Sequence, residues 1–248
     1  MSLYISVVNH NHDEMICKNP TLKNLAKIHH VVIKSNTVAS VELNSYCAEA
    51  GIHLIQGVEK KGFGANNNEV FELCTDQLNM TDSDYFLVLN PDVEVTCETI
   101  DQLYEAVINS RTKVATINLF RNREMTLYDN SIRRFPSVLN PIKTLLKIKR
   151  NDHYNKKTIT QPTTVDWAAG SFLLFSTQVY KKLKGFDERY FMYFEDVDIC
   201  KRALNLLDYK VTYYPEYKAT HFAQHANRSI FSKTFLHYLK SYIRYFKT

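Results

Sequence analysis

Tyr85-Phe-Leu-Val-Leu89-Asn90-Pro91-Asp92 decides the fold. Five apolar residues without polar alternation predict a strand buried on both faces, as in a parallel sheet covered by helices. The strand runs directly into a polar, acidic turn. Working outward, the same pattern recurs. Residues 3–8 end in Asn9-His10-Asn11-His12, and Val31-Val32-Ile33 ends in Lys34-Ser35-Asn36. Further strands are expected at 52–56 and 114–117. Between them lie helical stretches at 13–28 (broken at Asn19-Pro20), 38–50 (closed by Gly51), 63–78, and 96–109 with Thr96 as N-cap. This alternation is the signature of an α/β fold. Ligands of such sheets bind beyond the carboxyl ends of the strands, where all three polar clusters fall.

Composition narrows the class. The 248 residues carry 31 Lys+Arg against 26 Asp+Glu, a net charge of +5, too mild to argue for nucleic acid, and no nucleic-acid partner is expected. Only six glycines occur where average usage gives about 17, which excludes collagenous, linker and low-complexity classes. Five scattered cysteines without a C-x-x-C pair suggest reduced thiols and a reducing compartment. No signal-peptide pattern and no apolar run of about 18 residues is present, so a cytoplasmic location is expected.

Beyond residue 120 the rhythm breaks. Residues 121–163 are basic and irregular, with Arg121, Arg123, Arg133, Arg134, Lys143, Lys147, Lys149, Arg150, Lys156 and Lys157. An apolar segment at 165–176, a helix near 177–183, an aromatic block at 186–194 and a helix at 195–207 follow. Two short strands are expected near 211–214 and 219–222. The tail, 229–248, reads as a helix in which Lys233, Lys240, Arg244 and Lys247 interleave with Phe235, Tyr238, Tyr242 and Phe246. It suits an anionic lipid surface on the inner face of the membrane, or equally a packed helix with a solvated basic face.

Three constellations could carry chemistry. In Asn90-Pro91-Asp92-Val-Glu94 a carboxylate at the ligand edge could bind a hard divalent cation, although Asn-Pro-Asp is also an ordinary turn. In Gly185-Phe-Asp187-Glu188-Arg-Tyr-Phe191-Met-Tyr-Phe194-Glu195-Asp196-Val-Asp198, acids follow an aromatic wall suited to stacking sugar rings. Acids in a first helical turn are also ordinary dipole partners. In Lys60-Lys61-Gly62-Phe-Gly64-Ala-Asn-Asn67-Asn68 a glycine pair opens a helix, where backbone N–H groups could face phosphate. Asn67 stands at the third glycine position of a dinucleotide motif, so that reading is poor. His221 and His225 sit together near the end.

In order, these motifs, with Ser6-Val-Val-Asn9-His10-Asn11 and Asp166-Trp167-Ala-Ala-Gly170-Ser, resemble the GT-A glycosyltransferases of family 2. The closest likeness is to the bacterial rhamnosyltransferase-like branch that builds O-antigen and capsule. It spans residues 3 to about 225.

The resemblance implies a GT-A fold: one Rossmann-like mixed sheet flanked by helices, with a C-terminal helical extension. The glycosyltransferase domain would be 1–228, with a nucleotide-sugar half (1–120) and an acceptor half (121–228), followed by the helix 229–248. It further implies inverting transfer from a nucleotide-diphosphate sugar, dTDP-rhamnose favoured and UDP-hexose next, to a glycan or lipid-diphosphate-linked acceptor, with Mg²⁺ or Mn²⁺. Asp196, beside Glu195, would be the general base. Asp92 would hold metal and diphosphate, with His221 as a second metal residue. Asn9, His10, Asn11, Asn36, Gly64, Asn67 and Asn90 would surround the nucleotide, while Trp167, Gly170 and Asp187 would meet sugar or acceptor.

Two departures stand out. The family's Asp after the second strand is replaced by Lys34-Ser35-Asn36, leaving the nucleobase to Asn36 or a backbone group. His10 stands where tyrosine is common. A non-catalytic nucleotide-sugar or glycan-binding relative is the alternative reading, and a nucleotidyltransferase lacks a convincing lysine loop.

Overall fold

The computed structural model describes residues 1–57, 59–138, 152–222 and 233–247, with side chains of the last segment from 236. Lys143, Lys147, Lys149, Arg150, His225, the start of the tail helix at 229–232, Thr248 and the side chains of Lys233 and Phe235 lie outside the described residues.

The first strands are β1 (Leu3–Asn9), β2 (His30–Ser35), β3 (His53–Gln56), β4 (Tyr85–Leu89), β5 (Val93–Glu94) and β6 (Val114–Phe120). Next come β7 (Ile132–Arg133), β8 (Thr163–Val165), β9 (Trp167–Ala168), β10 (Phe172–Ser176) and β11 (Val211–His221). The helices are α1 (Asp13–Lys18), α2 (Pro20–Leu25), α3 (Val41–Ala50), α4 (Phe63–Gln77) and α5 (Cys97–Ser110), then α6 (Thr177–Lys182), α7 (Glu195–Leu207) and α8 (Lys233–Lys247).

The main sheet runs β3-β2-β1-β4-β10-β6-β11-β5, with β8 on β11. β1 pairs in parallel with both β2 and β4, so the chain reverses its direction of travel across the sheet at β1, and a crevice opens there. β10 enters antiparallel between β4 and β6, which makes the sheet mixed. The two strands expected near 211–214 and 219–222 are one, β11, interrupted by a bulge between Tyr214 and Lys218.

Strand alternation divides the core. Ile5, Leu87, Leu89 and Ile117 face α1, α2, α3 and α5. Tyr4, Phe86, Val88 and Phe175 face α4, α6 and α7. The break at Asn19-Pro20 has a local cause: Asn19 caps α2 by accepting from Thr21 N–H, with Pro20 at the first helical position. α3 starts at Val41 rather than 38 because the Ser40 hydroxyl accepts from Leu43 N–H as N-cap. The basic stretch is no uniform surface. Lys156 is only 6 % exposed, and Arg123 forms a bidentate pair with Glu94.

A third cluster joins Tyr190, Phe194, Val197 and Tyr245, tying α8 to the aromatic block and α7.

Candidate active site

A cleft of about 510 Å³ opens at the carboxyl ends of β1 and β4, and His10, Asn36, Asn90, Asp92, Gly170, Asp196 and His221 all line it. Six buried polar atoms without a hydrogen-bond partner lie along it: His10 Nδ1, His12 Nδ1, Asn66 Oδ1, Asp92 Oδ1, Ser171 Oγ and Glu195 Oε2. Buried polar groups are normally paired, so this convergence marks a place where a polar ligand completes the bonding.

Strand pairing builds one wall. β11 pairs with β5 so that His221 lies opposite Val93, which puts the imidazole beside Asp92. Nε2 stands 3.4 Å from Asp92 Oδ1, and Nδ1 stands 2.5 Å from Asp129 Oδ2. Burial pushes the imidazole's pKa down, but hydrogen bonds and charge from the two carboxylates outweigh it and raise it to about 9. Asp129 was not singled out from the sequence. It reaches His221 because β6 turns back on itself: Phe120 bridges Tyr128, and Asp129 N–H donates to Leu119 O.

This wall fits a hard divalent cation. Asp92 Oδ1 is buried with only the 3.4 Å approach of His221 Nε2, and a cation between the two would replace the proton on that nitrogen while Nδ1 stays held by a carboxylate, the usual support of a ligating histidine. Among the described residues no cluster of three His, Cys, Asp or Glu has metal-ligand spacing, so diphosphate and water would complete the shell.

The opposite wall is the start of α7. Tyr193 and Phe194 sit at φ +69° and +70°, a left-handed pair of non-glycine residues that turns the aromatic block sharply into Glu195 and Asp196. Asp196 accepts from Val197 N–H at 2.9 Å and Gly170 N–H at 3.3 Å. Burial raises both carboxyls, and the charge of Asp196 raises Glu195 further. The two N–H groups favour ionised Asp196, whereas Glu195 Oε2 has no donor, so of the two Asp196 is the better placed to carry the charge. Asp198 instead pairs with Arg202 at 2.7 Å.

Of the other residues singled out from the sequence, Gly170 and Asn36 line the cleft and the rest do not. Asn9 is fully buried and donates to Asp13 Oδ1 and Ser35 Oγ while accepting from His12 N–H, so it folds the loop that carries His10 and His12. Asn11 takes φ +59° in that loop. Asn67 bonds Ser6 Oγ and Phe63 O inside the core. Gly64 packs against Phe186; a Cβ there would meet it at 2.7 Å. Trp167 Nε1 donates to Arg134 O, and Arg133 lies 5.6 Å over its ring. Asp187 is held bidentately by Arg189 and is not brought to the cleft. Gly170 lines the cleft, but a Cβ on it would strike the Phe63 ring at 2.9 Å. Asn36 is there too, its amide bridging both backbone groups of Lys61 at 2.8 Å. His12, Asn66 and Ser171 stand inside the quoted clusters and motifs, but nothing in the sequence singles them out from their neighbours.

No protein-family model matches the chain. It is 36 % identical over 244 residues to the rhamnosyltransferase WbbL of Escherichia coli K12, covering 98 % of this chain and 92 % of that one. It is 30 % identical over 175 residues to the N-acetylglucosaminyl-diphospho-decaprenol L-rhamnosyltransferase of Mycobacterium tuberculosis, covering 64 % of this chain and 54 % of that one. Among solved structures, GalNAc-T7 with UDP, GalNAc and Mn²⁺ superposes with a TM-score of 0.63 at 14 % identity, over 97 % of this chain and 48 % of that one, a likeness of fold.

Proposed function

Because the chain belongs to the family 2 GT-A glycosyltransferases, in their rhamnosyltransferase-like branch, we propose that it is an inverting enzyme of surface-polysaccharide synthesis. It moves a sugar from a nucleotide-diphosphate donor, dTDP-rhamnose first and UDP-hexose next, to a glycan or lipid-diphosphate-linked acceptor. Both the Escherichia coli and the Mycobacterium tuberculosis relatives are rhamnosyltransferases, which supports rhamnose, and the diphospho-decaprenol substrate of the second supports a lipid diphosphate. No described helix is long and apolar enough to cross a membrane, which is compatible with peripheral work at its cytoplasmic face.

One observation carries the reading: Asp196, with two backbone N–H donors, lines the same cleft as Asp92 and His221. Asp196 takes the acceptor hydroxyl proton as that oxygen bonds to the anomeric carbon. The bond from that carbon to the diphosphate breaks on the opposite side, and its electron pair stays on the diphosphate oxygen at the wall that carries Asp92 and His221. Mg²⁺ or Mn²⁺ bound by Asp92 and His221 would neutralise that charge. Burial of Glu195 disfavours a second negative charge beside the nucleophile.

Asp196→Asn should lower transfer by about 10²–10⁴-fold while dTDP or UDP binding survives. Full turnover in that variant would sink the assignment. Nucleotide-sugar binding without turnover on any acceptor in the wild type would favour a non-catalytic relative, a reading motivated by the amide of Asn36 being engaged by Lys61. Thermal stabilisation by dTDP-, UDP- or GDP-sugars would identify the donor class.

A further inference from the structure

A second cavity, of about 490 Å³, lies between α8 and the segment Arg189–Phe191. Its charged lining is entirely cationic: Arg189, Lys240, Arg244 and Lys247. Arg189 is already matched by Asp187, and Arg244 donates to Arg189 O. Lys240 and Lys247 have no carboxylate within ion-pair distance among the described residues. Two ammonium groups about two helical turns apart thus stand over a concave surface, with no carboxylate paired to them among the described residues.

The cavity shares a wall with the cleft. Phe191 lines both, and Met192 and Tyr193 line the cleft from the same segment. α8 grips the far side of that segment: His237 stacks on Phe191 at 4.8 Å between ring centroids, and Ser241 Oγ donates to Met192 O at 2.9 Å. The outward face of α8 combines charge with apolar surface. Leu236, Leu239 and Ile243 are 56, 42 and 46 % exposed; helical spacing places Leu236 and Ile243 beside Lys240, Ile243 also beside Lys247, and Leu239 one turn before Ile243. An anion site flanked by an apolar ridge matches an amphiphile with a phosphorylated head and a hydrocarbon chain.

Resting on the glycosyltransferase reading above, we propose that this notch seats the diphosphate of a lipid-linked acceptor, its chain lying along Leu236, Leu239 and Ile243 and its sugar reaching past Phe191 to Asp196. The segment 189–194 then acts as a spacer between the diphosphate and the reacting hydroxyl. The occupant is the acceptor rather than bulk lipid, because the cationic lining is concave and shares the Phe191 wall with the cleft.

Geranylgeranyl diphosphate, below its micelle concentration, is the probe, titrated calorimetrically into the full chain and into Lys240→Glu/Lys247→Glu. The double variant should bind it at least about tenfold more weakly, with an unchanged melting midpoint and unchanged dTDP and UDP affinity. Raising salt from 50 to 300 mM should weaken the wild type more than the variant. Equal affinity in both proteins overturns the proposal. So does a variant that loses only sedimentation with phosphatidylglycerol vesicles, since that assigns the lysines to a bilayer surface. Equal loss of nucleotide affinity also overturns it, by placing the lysines on the donor. No turnover is read, so failure here is distinct from failure of Asp196→Asn.

Discussion

His221 and Asp129, 92 residues apart in sequence, are joined through Nδ1 and Oδ2 at 2.5 Å, which leaves Nε2 directed at Asp92. The carboxylate fixes the ring's orientation, so the position of Nε2 depends on a residue that does not line the cleft. Asp129→Ala should therefore weaken Mn²⁺ binding about 10–100-fold, read as free Mn²⁺ by electron paramagnetic resonance on the protein without substrate. Unchanged affinity would show that His221 is either no ligand or needs no orienting partner.

Lys156 gives a prediction about pH. It is buried beneath β6, where Nζ donates to Ser131 Oγ at 2.8 Å and Leu119 O at 3.3 Å. Burial pushes its pKa down to about 7, against partial compensation by Asp129. Between about pH 7 and 10.5 the unfolded chain binds this proton and the folded chain does not, so this group's contribution to stability rises with pH across that window. Below pH 7 both states are charged and the burial penalty is complete. Lys156→Met should thus gain most over wild type below pH 7, by about 1–3 kcal/mol or some 2–10 °C, and that gain should shrink toward pH 10. A pH-independent difference in denaturant unfolding would refute the assignment.

The strand and helix rhythm of the first 120 residues was legible because β4 and its neighbours are buried on both faces and punctuated by polar turns. Asp92 and Asp196 could be picked out because each stands in an ordered motif, whereas His221 came only from the family resemblance. Asp129 could not, since it belongs to an irregular stretch and meets His221 only through the pairing of β6 with β11. Asn9 and Asn67 look like ligand residues in sequence, being polar at a strand end and a helix start. Their amides in fact answer core partners, a distinction only packing can make. The left-handed turn at Tyr193 and Phe194 was equally hidden, because neither residue type favours it.

Gly62 tests how tightly the segment 189–194 is set. A Cβ there would stand 2.5 Å from Phe191 O and 2.7 Å from its Cα, both backbone atoms with no rotamer to yield. Gly62→Ala should cost about 1–3 kcal/mol and displace Phe191 from the wall shared by cleft and notch. The melting midpoint should fall by about 2–10 °C, and nucleotide affinity should fall with it. A fully stable variant would mean that the segment can retreat freely.

Asn36 stands where an acidic residue is usual in the family, and the structure gives its amide a different task. Nδ2 donates to Lys61 O and Oδ1 accepts from Lys61 N–H, so one side chain closes the loop between β3 and α4 onto β2. Asn36→Asp keeps the acceptor but sets a carboxylate oxygen against a carbonyl. An unmatched pair of this kind costs about 1–3 kcal/mol. The variant should therefore melt lower and bind both dTDP and UDP more weakly, despite carrying the more usual residue. Tighter UDP binding by Asn36→Asp would instead make this position a nucleobase contact, and the bridge to Lys61 would then be dispensable.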